Sequence, residues 1–299
     1  MSFYEEIEAN KRMTYLLFIV FFFFILFLGI ITDFIFSGGF FFVPIFGIIA
    51  IIYILISYYF SDKIITAISG AKPADPKKHA ILINVVEEMS IAAGIPMPKA
   101  YVIEDTAINA FATGRDPEHS AICTTTGCLT RLTRDELTGV VAHEMSHIKN
   151  QDIKVMTMAA IMVGMAVLMS DFLLRMFFWG GLRGGGNRKG GGPVMIAAIA
   201  VGILLALLTP VIAQIIKLAI SRKREYLADA SGVQLTRYPQ GLASALSKIR
   251  DDNEPLEAAN KATAHMYIAN PLKGQKIWMK SLFATHPPID DRINRLTHM

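Results

Sequence analysis

The sequence predicts a mainly α-helical membrane protein: four transmembrane or hairpin helices in two pairs, with a smaller α+β domain split around the second pair. Three observations carry this. Hydrophobic residues make up 53% of the 299 residues and charged residues only 18%, where an ordinary soluble domain has about a quarter charged. The apolar residues stand in long blocks instead of being spread evenly. The stretches outside the blocks carry helix caps, one amphipathic helix and short strand-like runs. Disorder is excluded, because it needs low hydrophobicity and high charge.

The first block, residues 14–32, carries no charge. At roughly 1.5 Å per residue it is long enough to cross a hydrocarbon core about 30 Å thick. Residues 40–60 form a second such block. Lys11 and Arg12 precede the first block, as they would in a secretory signal. A signal's apolar region runs to about 7–15 residues and ends at a small-residue cleavage site, so a retained helix is expected. The third block, about 155–178, contains Asp171 and Arg175; the fourth, about 194–216, contains Pro210 and Gln214. A glycine-rich linker over 182–192 joins them. The alternative for this pair is a buried soluble hairpin, which would need a large core to cover it.

Charge orients the first pair. Residues 33–39 contain no Lys or Arg, whereas Lys11 and Arg12 lie on one flank and Lys63, Lys72, Lys77 and Lys78 on the other. The positive-inside rule then places the N-terminus and the chain after residue 60 in the cytoplasm of a cell membrane. Arg183, Arg188 and Lys189 in the second loop oppose this, and Arg222, Lys223 and Arg224 only roughly balance them. Parity adds a constraint: two spans or none between 155 and 216 leave residues 61–152 and 221–299 on one side. The net charge of +4 needs nothing beyond cytoplasmic lysines. The two cysteines, Cys123 and Cys128, are too few for a disulfide scaffold or a four-sulfur metal site and read as packing residues in a reducing compartment.

The chemistry is announced by His143-Glu144-Met145-Ser146-His147, an H-E-x-x-H pattern. On a helix, positions i and i+4 share a face, so both imidazoles can reach one ion. Zinc binds imidazole nitrogen readily, and the intervening Glu144 sits where it can polarise a water molecule. Thr133-Arg134-Asp135-Glu136 reads as a capping box that starts the helix. A catalytic zinc, one per chain, needs a third protein ligand. Glu225 and Asp229 are again four residues apart, and Glu225 could be that ligand. Asp229 would then accept a hydrogen bond from the far nitrogen of a zinc-bound histidine. Taken alone, E-x-x-x-D is common as plain surface charge.

Together, H-E-M-S-H, a hydrophobic hairpin, S-R-K-R-E-Y-L-A-D-A and T-H-P-P-I-D-D-R-I resemble the HtpX family of membrane zinc endopeptidases, relatives of the CAAX prenyl endopeptidases. The likeness spans nearly the whole chain, including N-A-F-A-T-G before the motif. It implies a gluzincin-like cytoplasmic catalytic domain with a small β-sheet. It implies zinc ligation by His143, His147 and Glu225, Glu144 as general base, and quality control of misfolded or damaged membrane proteins. The expected division is a membrane hairpin over 1–60, a first catalytic part over 61–152, a second hairpin over 153–220 and a second catalytic part over 221–299.

Other residues carry open alternatives. Asn109, Ala110 and Phe111 follow an expected strand over 100–104, and the segment resembles the edge that in the related families lines up a substrate backbone; otherwise it forms a turn with a buried Phe. His286 could donate to the oxyanion of a tetrahedral intermediate, or merely precede a helix with a proline stop. Arg292 could hold a substrate carboxylate or brace the loop. A helix is expected over 80–93, with Asp75 as a cap and Gly94 after its end, and a second strand over 120–126.

The expected partners are membrane or unfolded protein substrates and the lipid bilayer. No nucleotide or nucleic-acid motif appears, so neither is expected as a partner. His147 lies eight residues before Val155, roughly 12 Å on a continuous helix, which would hold the zinc just outside the bilayer. The alternative from another class is a non-catalytic membrane scaffold with a structural zinc site.

Overall fold

The computed structural model describes residues 3–36, 39–165, 222–258, 263–269, 271 and 287–299. The chain opens with two long helices, α1 (Phe3–Phe36) and α2 (Phe42–Tyr59). They pair as a hairpin. Asp33 ties its turn, accepting from the backbone N–H groups of Phe42 (3.0 Å) and Val43 (3.1 Å) at the start of α2. One stripe of α1 (Leu17, Phe21, Phe24, Leu28) is buried, and Phe21 stacks on Tyr53 of α2 at 5.1 Å. Tyr15, Ile19, Phe23, Phe27 and Ile30 line the exposed side of α1; Ile48, Ile52 and Ile56 do the same on α2. So much exposed apolar surface is unfavourable in water and suits lipid. Glu8–Asp33 and Phe42–Tyr59 are both long and apolar enough to cross a membrane.

After α3 (Ser61–Ile68), the chain forms β1 (Lys72–Pro73) and α4 (Ala80–Ala93). Asp75 caps the turn just ahead of α4, accepting from Lys77 and Lys78, and Gly94 ends the helix with φ of 67°. Then come β2 (Lys99–Ile103), β3 (Ala110–Gly114) and β4 (Ser120–Thr125). The sheet order is β1-β2-β4-β3, with β2 and β4 parallel and the other pairs antiparallel. The expected 120–126 strand stops at Thr125, whose hydroxyl accepts from Cys128 N–H and starts α5 (Thr126–Arg131).

Every residue of β3 and β4 is buried because both sheet faces are covered. Ile103, Phe111 and Cys123 face a core shared with α1, while Val102, Ala110, Ala112 and Ile122 face a core shared with α4. Burying each large apolar side chain contributes roughly 1.5–3 kcal/mol over leaving it exposed. The second core is completed by α6 (Arg134–Lys149), α9 (Pro239–Asp251) and α10 (Ile289–Thr297). Between α6 and α9 in the sequence lie α7, residues 152–165, and α8 (Arg222–Thr236).

One expectation is corrected here. The helix bearing the two histidines does not run on into the third apolar block. It ends at Asn150, and Gln151 takes φ of 57°, so the chain turns before α7 begins at Asp152. That left-handed turn at a non-glycine residue costs on the order of 1–2 kcal/mol. The start of the third block packs inward. Val155, Met158 and Met162 are buried in the core with α1 and the sheet, and Ile161 O accepts from the Tyr53 hydroxyl at 3.2 Å. The remainder of that block, the glycine linker and the fourth block lie outside the described residues.

Candidate metal centre

The frame of the site is α6. The expected capping box forms: Thr133 Oγ1 accepts from Glu136 N–H at 3.3 Å, and Glu136 Oε2 accepts from Thr133 N–H at 2.7 Å. Such a cap contributes about 1 kcal/mol. Glu136 also accepts from Lys248 Nζ (2.7 Å) and Ser244 Oγ (2.6 Å), which ties the start of α6 to α9.

Three turns on, His143 and His147 project from one face of α6, both buried. Their Nε2 atoms stand 3.3 Å apart with the rings near perpendicular, at 89°. From α8, Glu225 brings Oε1 to 3.5 Å from His147 Nε2 and Oε2 to 3.8 Å from His143 Nε2. One ligand atom from each of the three lies within 4.8 Å of the others. The approach of α8 depends on Gly232, where a Cβ would come within 3.2 Å of the His143 backbone nitrogen.

Each ring is held from behind. Asp229 Oδ1 lies 3.0 Å from His143 Nδ1, and Asp152 Oδ2 lies 3.0 Å from His147 Nδ1. Donation from Nδ1 to a carboxylate leaves both Nε2 lone pairs pointing inward. Two such acceptors and a carboxylate facing one another repel unless a cation or proton lies between them. Glu144, Asp152, Glu225 and Asp229 are all buried around this point, which concentrates carboxylates beside the two imidazoles. The donor set therefore fits a divalent metal.

Burial pulls His147 down, but its hydrogen bond to Asp152 and the charges of Glu225, Asp152 and Glu144 outweigh that and push it up to about 9. A metal must therefore displace a proton on binding. Burial alone would raise Asp229; the Arg292 charge and the bonds from His143 and Arg292 instead hold it down at about 2.

The other residues singled out in the sequence fall in different places. Glu144 is buried on α6 beside His143. Arg292, on α10, is 1% exposed. Its Nε and Nη2 donate to both oxygens of Asp229 at 2.9 and 2.7 Å, and its Nη1 donates to Ile268 O at 3.0 Å. The fork thus braces Asp229 beside His143, and Nη1 also lies 3.7 Å from Glu225 Oε2.

Asn109 is also buried and structural in its contacts. Its Nδ2 donates to Ala269 O at 3.1 Å, and its backbone oxygen accepts from Cys128 Sγ at 3.1 Å. Phe111 packs edge-on against Tyr267 at 4.9 Å. The segment around Ala110 is the terminal strand of the sheet, as an edge should be, but all five residues of β3 are buried. Ala110 O accepts from Ile268 N–H at 2.9 Å, and Gly114 N–H donates to Thr157 Oγ1 at 3.1 Å. Between them, the β3–β4 register turns the backbone groups of Ala112 away from β4. His286 lies outside the described residues. Cys123 and Cys128 are free and buried, and burial pushes both thiols up, Cys128 to about 11.

Asp152 was not legible as a partner of His147. Five residues along a continuous helix it would point away from that ring, and only the turn at Gln151 brings it back.

Comparison with known proteins agrees with this geometry. The sequence profile of peptidase family M48 matches residues 76–299. A protein named Protease HtpX homolog from Caldanaerobacter subterraneus subsp. tengcongensis is 47% identical over 294 residues, covering 98% of this chain and 96% of its own. A protein of the same name from Listeria monocytogenes is 43% identical over 306 residues, covering 99% of each chain. A solved structure titled Crystal Structure of S. mikatae Ste24p aligns at 20% identity with a TM-score of 0.48, covering 83% of this chain and 57% of that one.

Proposed function

This chain belongs to peptidase family M48, and on that premise we propose that it is a membrane endopeptidase whose metal is zinc, held by His143, His147 and Glu225. The observation that carries the reading is the closure of this ligand set across α6 and α8, with a carboxylate behind each imidazole. Two imidazoles and one carboxylate form a ligand set typical of catalytic zinc, which leaves a position for water and substrate. When bound, zinc supplies Lewis-acid polarisation of the scissile carbonyl and of the attacking water.

The protein's own groups do the rest. Glu144 takes the proton from the attacking water and returns it to the leaving amine. Asp229, braced by Arg292, and Asp152 keep the two rings turned inward. His286, three residues before α10 begins, is assigned the oxyanion-donor role expected from the sequence. The substrate backbone adds to the outward edge of β3 near Ala112, between the occupied positions at Ala110 and Gly114. Since β3 is buried, the substrate must displace whatever covers that edge.

The membrane hairpin and the charge asymmetry around it support action at the cytoplasmic face of a cell membrane. The substrates proposed are misfolded or damaged membrane proteins, cut in loops that reach the site. Glu144→Gln tests the reading. It should bind one zinc per chain as the wild type does, while cleavage of a casein-like or membrane-protein substrate falls about 10²–10⁴-fold. Normal cleavage by this variant would remove Glu144 from the mechanism.

A further inference from the structure

Asn10 stands near the start of α1, the first membrane helix, and is 1% exposed. A side-chain amide is buried at a cost unless its groups are hydrogen-bonded. Here both ends are used. Nδ2 donates to Asp152 Oδ1 at 2.9 Å and lies 3.4 Å from the backbone oxygen of Asn150. Oδ1 accepts from Nη1 of Arg224.

All three partners belong to the frame of the metal centre. Asn150 caps the C-terminus of the helix that carries both histidines. Asp152 meets His147 Nδ1 with its other oxygen. Arg224 directly precedes Glu225, and its Nη1 lies 3.4 Å from Asp152 Oδ1. One carboxylate thus has a candidate metal ligand on one oxygen and the first membrane helix on the other.

We propose that Asn10 is a positioning residue of the metal centre: by holding Asp152 it sets the ring orientation and tautomer of His147, so the site is complete only when α1 is docked. The inference rests on His147 being a metal ligand. The residue type suits the task, because an amide offers a donor to the carboxylate and an acceptor to the guanidinium at once. An Asp at position 10 would set a second carboxylate against Asp152, and a Leu would supply neither bond. The remote helix thereby acts on the metal without touching it, in the manner of outer partners that orient ligands.

The test uses the full chain in detergent, with Asn10→Leu, Asn10→Asp and, as a control on the same helix, Glu8→Ala, whose side chain makes an exposed pair with Lys11. Zinc affinity is read by competition with a chromophoric chelator, and the ligand geometry by the visible spectrum of the Co2+-substituted protein. Thermal unfolding, kcat and KM are measured alongside. Both Asn10 variants should weaken zinc binding about 10-fold or more and alter the cobalt spectrum, with kcat reduced more than KM is changed. Glu8→Ala should match the wild type in each.

Asn10 variants with lowered thermal stability but wild-type zinc affinity and cobalt spectrum would overturn the proposal, leaving only a docking contact. If Asn10→Leu does not fold, a double-mutant cycle of Asn10→Asp with Asp152→Asn decides. Non-additive zinc affinities support the link, and additive ones overturn it. His147→Ala separates this inference from the ligand assignment. Stoichiometric zinc in that variant would overturn the assignment itself, whereas lost zinc there with unchanged Asn10 variants overturns only the role of Asn10.

Discussion

The Asp152 carboxylate lies 3.0 Å from Nδ1 of His147, although only five residues separate them and one helix would carry them to different faces. The turn at Gln151 creates this contact, and with it the second half of a matched pair. His143 has Asp229 behind it, and His147 has Asp152.

The first prediction concerns that pair and the ligand in front of it. Glu225→Ala should lower zinc content below one per chain, because it removes one of the three proposed ligand atoms. Asp152→Ala should keep stoichiometric zinc at saturating metal but weaken its affinity about 10–100-fold, as loss of an outer partner does. Metal analysis after dialysis against graded chelator distinguishes the two. Stoichiometric, tightly held zinc in Glu225→Ala would place the third ligand elsewhere.

Arg292→Ala should be more damaging to stability than to metal content alone. It leaves Asp229 buried without its bidentate partner, and breaking a buried ion pair in this way costs about 3–5 kcal/mol. Arg292→Lys, which cannot reproduce the fork, should recover only part of that loss. Thermal unfolding of the metal-free proteins measures both. A wild-type melting temperature for Arg292→Ala would show that the fork contributes nothing to folding.

The pH dependence follows from Asp229. Its folded value, about 2, lies below its ordinary 3.8. The stabilisation is therefore fully present above about pH 4 and is lost as the pH falls towards 2. Between pH 5 and pH 2.5, the wild type should lose more melting temperature than Asp229→Asn, which has no such proton to take up. Parallel curves for the two would mean that the pair does not stabilise the fold.

Much of this was readable locally. The helix over 80–93, the Thr133–Glu136 capping box and the i, i+4 histidines each depend on residues within a turn or two, and each formed as expected. The two N-terminal apolar blocks became helices of spanning length for the same reason. Glu225 and Asp229 were legible as a spaced pair, although nothing local could say that Gly232 lets α8 approach His143 so closely. The strand edge at Ala110 was placed correctly in the sheet. Its burial, and the occupation of its edge by Ile268 and Thr157, come from segments more than 40 residues away in the chain.

By itself the sequence determined which chemical groups were available and their local spacing: two imidazoles on one helix face, a carboxylate pair on another, and apolar runs of membrane length. Those properties follow from residue type and helical period alone. The tertiary structure decided which carboxylate supports which ring, that Arg292 braces Asp229, and that Asn10 on the first membrane helix reaches Asp152. These contacts depend on one left-handed turn at Gln151 and on helices far apart in sequence packing against each other, and no local periodicity encodes either.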